Sequence, residues 1–254
     1  MQYGRFVSTL FTPRTLFRCA STPSTNSLLR QKIEAGDGIN WVVAAEQTAG
    51  RGRLGRKWFS PKGRGIYASF LFTSPSPAHL RMASILVGLA LAEAVSRRTF
   101  QELSIKWPND ILLNGKKVAG ALLERVGSSP EAPLLAGIGI NCLPADGMPA
   151  RQLFPASSLS AETHSRITPW SLLPCLARSM ERFWLCDLDL ESSQLMQKWR
   201  QMLAMAPVVV FQTPDGQIIR GEPHQIRDDG ALVLITADGE RHSLMAGDII
   251  NLKK

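Results

Sequence analysis

The sequence is short of the groups that build a metal centre. Its four cysteines, Cys19, Cys142, Cys175 and Cys186, are scattered and make no CxxC pair, and its four histidines, His79, His164, His224 and His242, have no ligand spacing. A structural metal cluster is excluded, and a reduced, cytoplasmic setting is expected. No G-x-x-x-x-G-K-[ST] segment occurs, which excludes a P-loop. Long hydrophobic runs are missing too. The longest, residues 83–95, falls short of the ~20 residues of a membrane span. It ends in Ser96-Arg97-Arg98 and predicts a buried helix with no membrane partner. Acidic residues are absent from the first thirty-three positions, where Arg5, Arg14 and Arg18 give the composition of a transit peptide. Residues 16–19 nevertheless read as a strand leading into a polar turn, so this stretch is taken as part of the fold.

What is present is an ordinary globular composition, 44% hydrophobic and 20% charged, over 254 residues. That is room for one large domain, or a medium one plus a small one. The net charge of +8 suits a nucleic acid, an anionic nucleotide or an acidic protein, and does not choose among them. The first two-thirds mixes strand and helix. Ser24-Thr25-Asn26 offers N-cap residues before a helix that stops at Gly36. Strands are predicted over 39–45, 66–72 and 103–106, and a helix over about 78–98. Asn114-Gly115 joins 110–113 to 117–124 as a hairpin. Residues 134–141 form another strand, with Gly137, Gly139 and Asn141 on one face, where bare glycines admit a close neighbour. Two helices follow, the first capped by Ser171 with Pro174 in its first turn, the second starting at Ser193 and running to about residue 203. From Pro207 the pattern becomes five short strands separated by Asp-Gly turns, which suggests a small closed barrel of the SH3-like kind. The expected division is residues 1–206 and 207–254.

Two segments carry chemistry. Gly50-Arg51-Gly52-Arg53-Leu54-Gly55 fits the dinucleotide pattern G-x-G-x-x-G and follows a strand, but that motif must open a helix at its third glycine. The residues that follow include Pro61 and Gly63 and then a strand, so the dinucleotide reading fails. What remains is a basic loop whose glycines let backbone N–H groups face an anion. Its Arg51, Arg53 and Arg56 offer bidentate bonds to phosphate or carboxylate, and it is expected to order over a ligand and exclude water. A solvated RNA-binding arginine–glycine tract is the bland alternative, though such tracts are longer and lack an embedded Trp58-Phe59. The second segment, Lys106-Trp107-Pro108-Asn109-Asp110, places a lysine at a strand end with candidate Mg²⁺ ligands, Asn109 and Asp110, behind it. Alone, it would pass for a surface turn with a snorkelling lysine.

Together the motifs resemble the biotin–protein ligase family. The matching segments are Ser24-Thr25-Asn26, the run from Ala45 to Trp58, Lys106-Trp107-Pro108-Asn109-Asp110, Lys117-Val118-Ala119-Gly120 and Gly137-Ile138-Gly139-Ile140-Asn141. They appear in the family's order, and the likeness covers roughly residues 14–254. The resemblance implies an α/β fold, a mixed sheet flanked by helices as in class II synthetase cores, with an SH3-like C-terminal barrel. It implies that biotin and ATP form biotinyl-5′-adenylate with Mg²⁺, and that biotin then passes to a lysine of a biotin carboxyl carrier domain. Lys106 and Arg51 would be catalytic. Ser24, Thr25 and Gln47 would bind the ureido ring with Asn26 supporting them. Arg51, Gly52 and Arg53 would grip the biotin carboxylate and the phosphate, with Lys106 against both and Gly120 offering its backbone. Arg53, Trp58, Asn109 and Asn141 would serve the nucleotide, and Phe154 in the 153–159 segment is considered for adenine. About twenty residues precede Ser24, too few for the winged helix-turn-helix of repressor members, so no DNA partner is expected, and the chain should act as a monomer or homodimer. A lipoate–protein ligase is the nearest alternative, disfavoured because Ser24, Thr25 and Gln47 would be partly unpaired against a dithiolane.

Overall fold

Alternate residues of the central strands go to opposite faces, as the pleat requires. Trp41 and Val43 enter one hydrophobic cluster and Val42 the other. Likewise Leu134, Ala136, Ile138 and Ile140 face the large cluster while Leu135 faces the small one. Strands apolar on both faces must be covered on both, and a three-layer arrangement follows. The computed structural model describes residues 3–6, 14–73, 76–129, 132–149 and 154–253.

The main sheet is built from β1 (Tyr3–Phe6), β2 (Arg14–Cys19), β3 (Trp41–Ala44), β4 (Gly65–Phe72), β5 (Ser104–Lys106), β6 (Asp110–Leu113), β7 (Lys116–Arg125) and β8 (Leu134–Asn141). Their order is β1-β2-β3-β4-β8-β7-β6-β5. The β2–β3 pair is parallel and the other neighbours are antiparallel, so the sheet is mixed, as expected. The crossover between β2 and β3 is α1 (Thr25–Glu34), which covers the small cluster through Leu29. Its N-cap is Ser24, whose hydroxyl makes no capping bond.

On the other face lie α2 (Pro77–Thr99), α4 (Pro169–Trp184) and α5 (Leu188–Met202), and the short α3 (Leu159–Thr163) comes just before α4 in the chain. Helix α2 is apolar and long enough to cross a membrane by composition, but 72% of that window is buried inside the protein. It is a core helix, which is why its apolar residues are not confined to one stripe.

Two helix starts differ from expectation. Thr168, not Ser171, caps α4: its hydroxyl accepts from the Ser171 amide at 3.3 Å and Pro169 takes the first turn. A Thr-Pro pair is the stronger start, because proline lacks only an N–H that would be unpaired there. Pro174 therefore lies inside the helix, held by the burial of Leu172, Leu176, Met180 and Phe183 on one face. Asp187, accepting from the Asp189 amide at 3.0 Å, starts α5 ahead of Ser193.

After α5, five strands form an antiparallel sheet: β9 (Val208–Gln212), β10 (Ile218–Ile226), β11 (Leu232–Ile235), β12 (Arg241–Leu244) and β13 (Asp248–Lys253), in the order β12-β11-β10-β9-β13. The first half of β10 pairs with β9 and the second half with β11 across an irregularity at Pro223, so one strand serves both leaves of the sheet. Val209, Phe211, Leu232 and Leu234 join the large cluster, and the Trp107 indole donates to the Gly230 carbonyl at 3.1 Å. The small sheet is therefore packed against the β5–β6 edge of the large one.

If α2 carries the core, Leu86→Ala (Leu86 is 1% exposed) should lower unfolding free energy by about 2–5 kcal/mol. A urea midpoint equal to that of the unaltered protein would show that the helix contributes little.

Candidate active site

The site is set by side chains that β8 lacks. A Cβ on Gly137 would strike the Asn26 amide, and one on Gly139 would strike the Trp58 indole. The two glycines let the start of α1 and the end of the basic loop settle onto the sheet. Between them opens a cavity of about 500 Å³. Of the residues singled out by sequence, Ser24, Thr25, Asn26, Gln47, Arg51, Gly52, Arg53, Trp58, Lys106, Asp110, Gly120, Asn141 and Phe154 all line it. Residue 153, next to Phe154, lies outside the described residues.

One end is polar and uncharged. Gln47 Oε1 accepts from the Thr25 amide at 2.9 Å and from its hydroxyl at 3.1 Å, while Gln47 Nε2 donates to Ser60 Oγ at 2.9 Å. The Ser69 hydroxyl donates to Asn26 Oδ1 at 2.5 Å, and Asn26 Nδ2 donates to Glu124 Oε2 at 2.7 Å. Arg51 closes this end, donating to the same Glu124 oxygen at 3.1 Å and to Ser27 Oγ at 3.4 Å. Arg51 and Glu124 thus form an ion pair beside the polar end.

The other end is cationic. Residues 50–58 fold back on themselves: Trp58 N–H donates to the Gly50 carbonyl at 2.9 Å and Gly52 N–H to the Arg56 carbonyl at 2.7 Å. A short helical turn over Arg53–Gly55 forms the tip, where Leu54 takes a left-handed φ of 53°. From this hairpin Arg53 donates to the Gly247 carbonyl and Arg56 pairs with Asp248. Lys106, 6% exposed, pairs with Asp248 at 2.5 Å. Asp110 sits between two lysines, 2.7 Å from Lys117 and 3.9 Å from Lys106. Burial pushes the Asp110 carboxyl up, but Lys117, then Lys106 and Arg53, outweigh it and hold it below the usual carboxylate range. Burial pulls the Arg53 guanidinium down, opposed by Asp248 and Asp110; arginine remains charged regardless. Lys117 also stands over the Trp58 ring, 5.1 Å from its centroid.

The structure does not bring Asn109 to the cavity. Its side chain is buried at 2% exposure and its Oδ1 has no hydrogen-bond partner among the described residues. It packs where α2 presents Gly88, so the tight Pro108–Asn109 turn is spent on helix packing. The expected Asn109–Asp110 magnesium pair therefore does not fit. One member faces away, and two ammonium groups around Asp110 oppose a dication. Among the described residues no group of three or more His, Cys, Asp or Glu is arranged to hold a metal.

Sequence reasoning missed Ser69, Lys117 as a cavity residue, Glu124 and Asp248. Lys117 stood inside a quoted motif and was recoverable. The other three had no local signal.

Residues 16–141 match the model of the biotin/lipoate A/B protein ligase family. A biotin–[acetyl-CoA-carboxylase] ligase of Paracoccus denitrificans is 36% identical over 85% of this chain and 92% of its own length. Another, from Mycobacterium tuberculosis, is 30% identical over 94% of this chain and 90% of its own. Among solved structures, the biotin protein ligase of Aquifex aeolicus in complex with biotin and ATP superposes with a TM-score of 0.67 at 26% identity, covering 92% of this chain and 96% of that one. The chain belongs to the biotin/lipoate A/B protein ligase family.

Asp110 gives the site a pH signature. Its folded pKa lies below the unfolded one, so near pH 4 the unfolded chain binds more protons. Its contribution to stability is full above about pH 4 and is lost as pH falls through the lowered folded value. Urea midpoints taken from about pH 6 to about pH 3 should fall less steeply in Asp110→Asn than in the unaltered protein. Parallel curves would remove Asp110 from the acid response.

Proposed function

We propose that this chain is an ATP-dependent biotin–protein ligase that forms biotinyl-5′-adenylate and passes biotin to a lysine of a biotin carboxyl carrier domain. The observation that carries this reading is a single cavity with a polar, uncharged end and a cationic end, sized for a small ligand. Both the Paracoccus and the Mycobacterium relatives are named as ligases of this kind.

Biotin would place its ureido ring against Ser24, Thr25 and Gln47, with Asn26 behind them, and its carboxylate toward Arg53, Gly52 and Lys106. A carboxylate oxygen of biotin attacks the α-phosphorus of ATP and pyrophosphate leaves. Charge grows on the phosphoryl oxygens, and fixed cations stabilise it without reorganising. The residues placed to do so are Arg53, Arg56, Lys106 and Lys117, with the Gly120 backbone alongside. Adenine would lie toward Trp58, Asn141 and Phe154. The carrier lysine then attacks the acyl carbon and AMP departs. Magnesium, in this reading, comes on the ATP phosphates, because the described residues offer it no paired ligands. The four free cysteines support a reducing, cytoplasmic setting. Burial pushes Cys142 up to about 12 and Cys186 up to about 11, leaving both as thiols.

Incubation with biotin and labelled ATP should release pyrophosphate and form biotinyl-adenylate; activation of lipoate with none of biotin would reverse the substrate assignment. Lys106→Ala should lower the adenylation rate by about 10²–10³-fold. Because Asp248 keeps Arg56 as a partner, the variant should still fold, with stability reduced by about 1–3 kcal/mol. Undiminished adenylate formation would take Lys106 out of the reaction.

A further inference from the structure

Glu124 lies on β7 beyond the quoted motifs, yet it joins two parts of the site. One oxygen, Oε2, accepts from Asn26 Nδ2 at 2.7 Å and from Arg51 at 3.1 Å. From Asn26 a polar chain continues through Ser69, Thr25, Gln47 and Ser60, and Ser60 Oγ donates to the Trp58 carbonyl at 3.3 Å. Arg51 and Trp58 are the two arms of the basic hairpin. The network thus leaves the hairpin at one arm, passes beneath the polar end of the cavity and returns to the hairpin at the other.

The polarity of this chain is fixed at Glu124. A carboxylate only accepts, so the Asn26 NH₂ must face it and Asn26 Oδ1 must face Ser69. Oδ1 in turn only accepts, so it draws the single Ser69 proton, although Thr25 Oγ1 is 2.8 Å away. With the Ser69 proton spent on Asn26, the contact to Ser69 Oγ at 2.8 Å can be bridged only by the Thr25 proton, which Gln47 Oε1 shares at 3.1 Å, and the Thr25 lone pairs are left as acceptors toward the cavity. That is the polarity an N–H donor such as a ureido nitrogen requires. Asn26 and Ser69 are 3% and 0% exposed, so a wrongly turned amide there could not be rescued by solvent.

We propose that Glu124 is a positioning residue that couples recognition of the ureido ring to the closed state of the arginine loop. It sets the acceptor polarity of Thr25 through Asn26 and Ser69, and it anchors the loop through Arg51. Occupation of the polar end and closure of the loop then stabilise each other through one carboxylate. This rests on the reading that Thr25 and Gln47 face the ureido ring.

The test is Glu124→Gln, which keeps the shape but lets the amide at 124 and the amide of Asn26 turn. Biotin affinity should fall by about ten- to a hundred-fold, the range for a hydrogen bond to a charged group. The decisive measurement is trypsin cleavage within the loop, at Arg51, Arg53, Arg56 and Lys57, with biotin at saturation. Biotin should protect the loop of the unaltered protein and fail to protect that of the variant, which should also release biotinyl-adenylate faster. A role confined to folding would change none of this once the site is filled. Equal protection at saturation overturns the coupling and leaves the ligase assignment standing; an unaltered protein that binds no biotin overturns both. Should the Gln variant fail to fold, Arg51→Gln breaks the same link at a half-exposed side chain. It should weaken binding of biotinol, which has no carboxylate for Arg51 to grip, about as much as binding of biotin. Unchanged biotinol affinity overturns the proposal.

Discussion

The site depends on pairing five of the cations that line one cavity, which would otherwise repel each other. Arg51, Arg53, Arg56, Lys106 and Lys117 all line it. Left unpaired and half-buried they would repel each other and unfold the loop that carries three of them. Each has instead been given an oxygen. Glu124 takes Arg51, Asp110 takes Lys117, Asp248 takes Lys106 and Arg56, and the Gly247 carbonyl takes Arg53. These acceptors come from β7, the start of β6, and the head of β13 with the residue before it. Charge compensation is therefore also what fastens the C-terminal sheet to the loop.

That arrangement bears on catalysis, because Asp110 and Asp248 line the same cavity as the cations they hold. Asp248, 5% exposed, holds Lys106 and Arg56 together as a phosphoryl group would. An incoming triphosphate exchanges one anion for another, with less net desolvation than the binding of a bare cation cluster would entail. The resting site is stable and the bound site is charge-balanced for the same reason.

The fold was legible wherever the determining signal is local. The strand over 134–141, the hairpin at Asn114-Gly115 and the five short C-terminal strands follow from alternation and turn chemistry. Helix starts were legible only in part: Ser171 and Ser193 are acceptable caps, but Thr168-Pro169 and Asp187 lie earlier and won. In the site, the motif residues came out because their chemistry is written within a few positions. Glu124 meets Asn26 across 98 residues of chain, Ser69 meets Asn26 across 43 and Asp248 meets Lys106 across 142. Acidic and hydroxyl residues that act only through such partners carry no pattern of their own. Asn109 is the converse case. It stands in a motif of functional residues, yet its place is fixed by the approach of α2 at Gly88.

The structure also alters the argument for substrate choice. The sequence alone suggests that a dithiolane is disfavoured because it would leave polar groups unpaired. In the folded chain Thr25 and Gln47 already satisfy each other, Gln47 Nε2 has Ser60, and Asn26 has Glu124 and Ser69. A dithiolane would leave these bonds intact, so the penalty against it is small. Ser24 is different, being 5% exposed with a hydroxyl not used to cap α1. Under the proposed placement of biotin, discrimination then comes chiefly from what the ureido ring gains, at Ser24 and at the remaining lone pairs of Thr25 and Gln47. Selectivity of that kind depends on the polarity of the network being held in one sense, since a group that donates where it should accept would erase the gain.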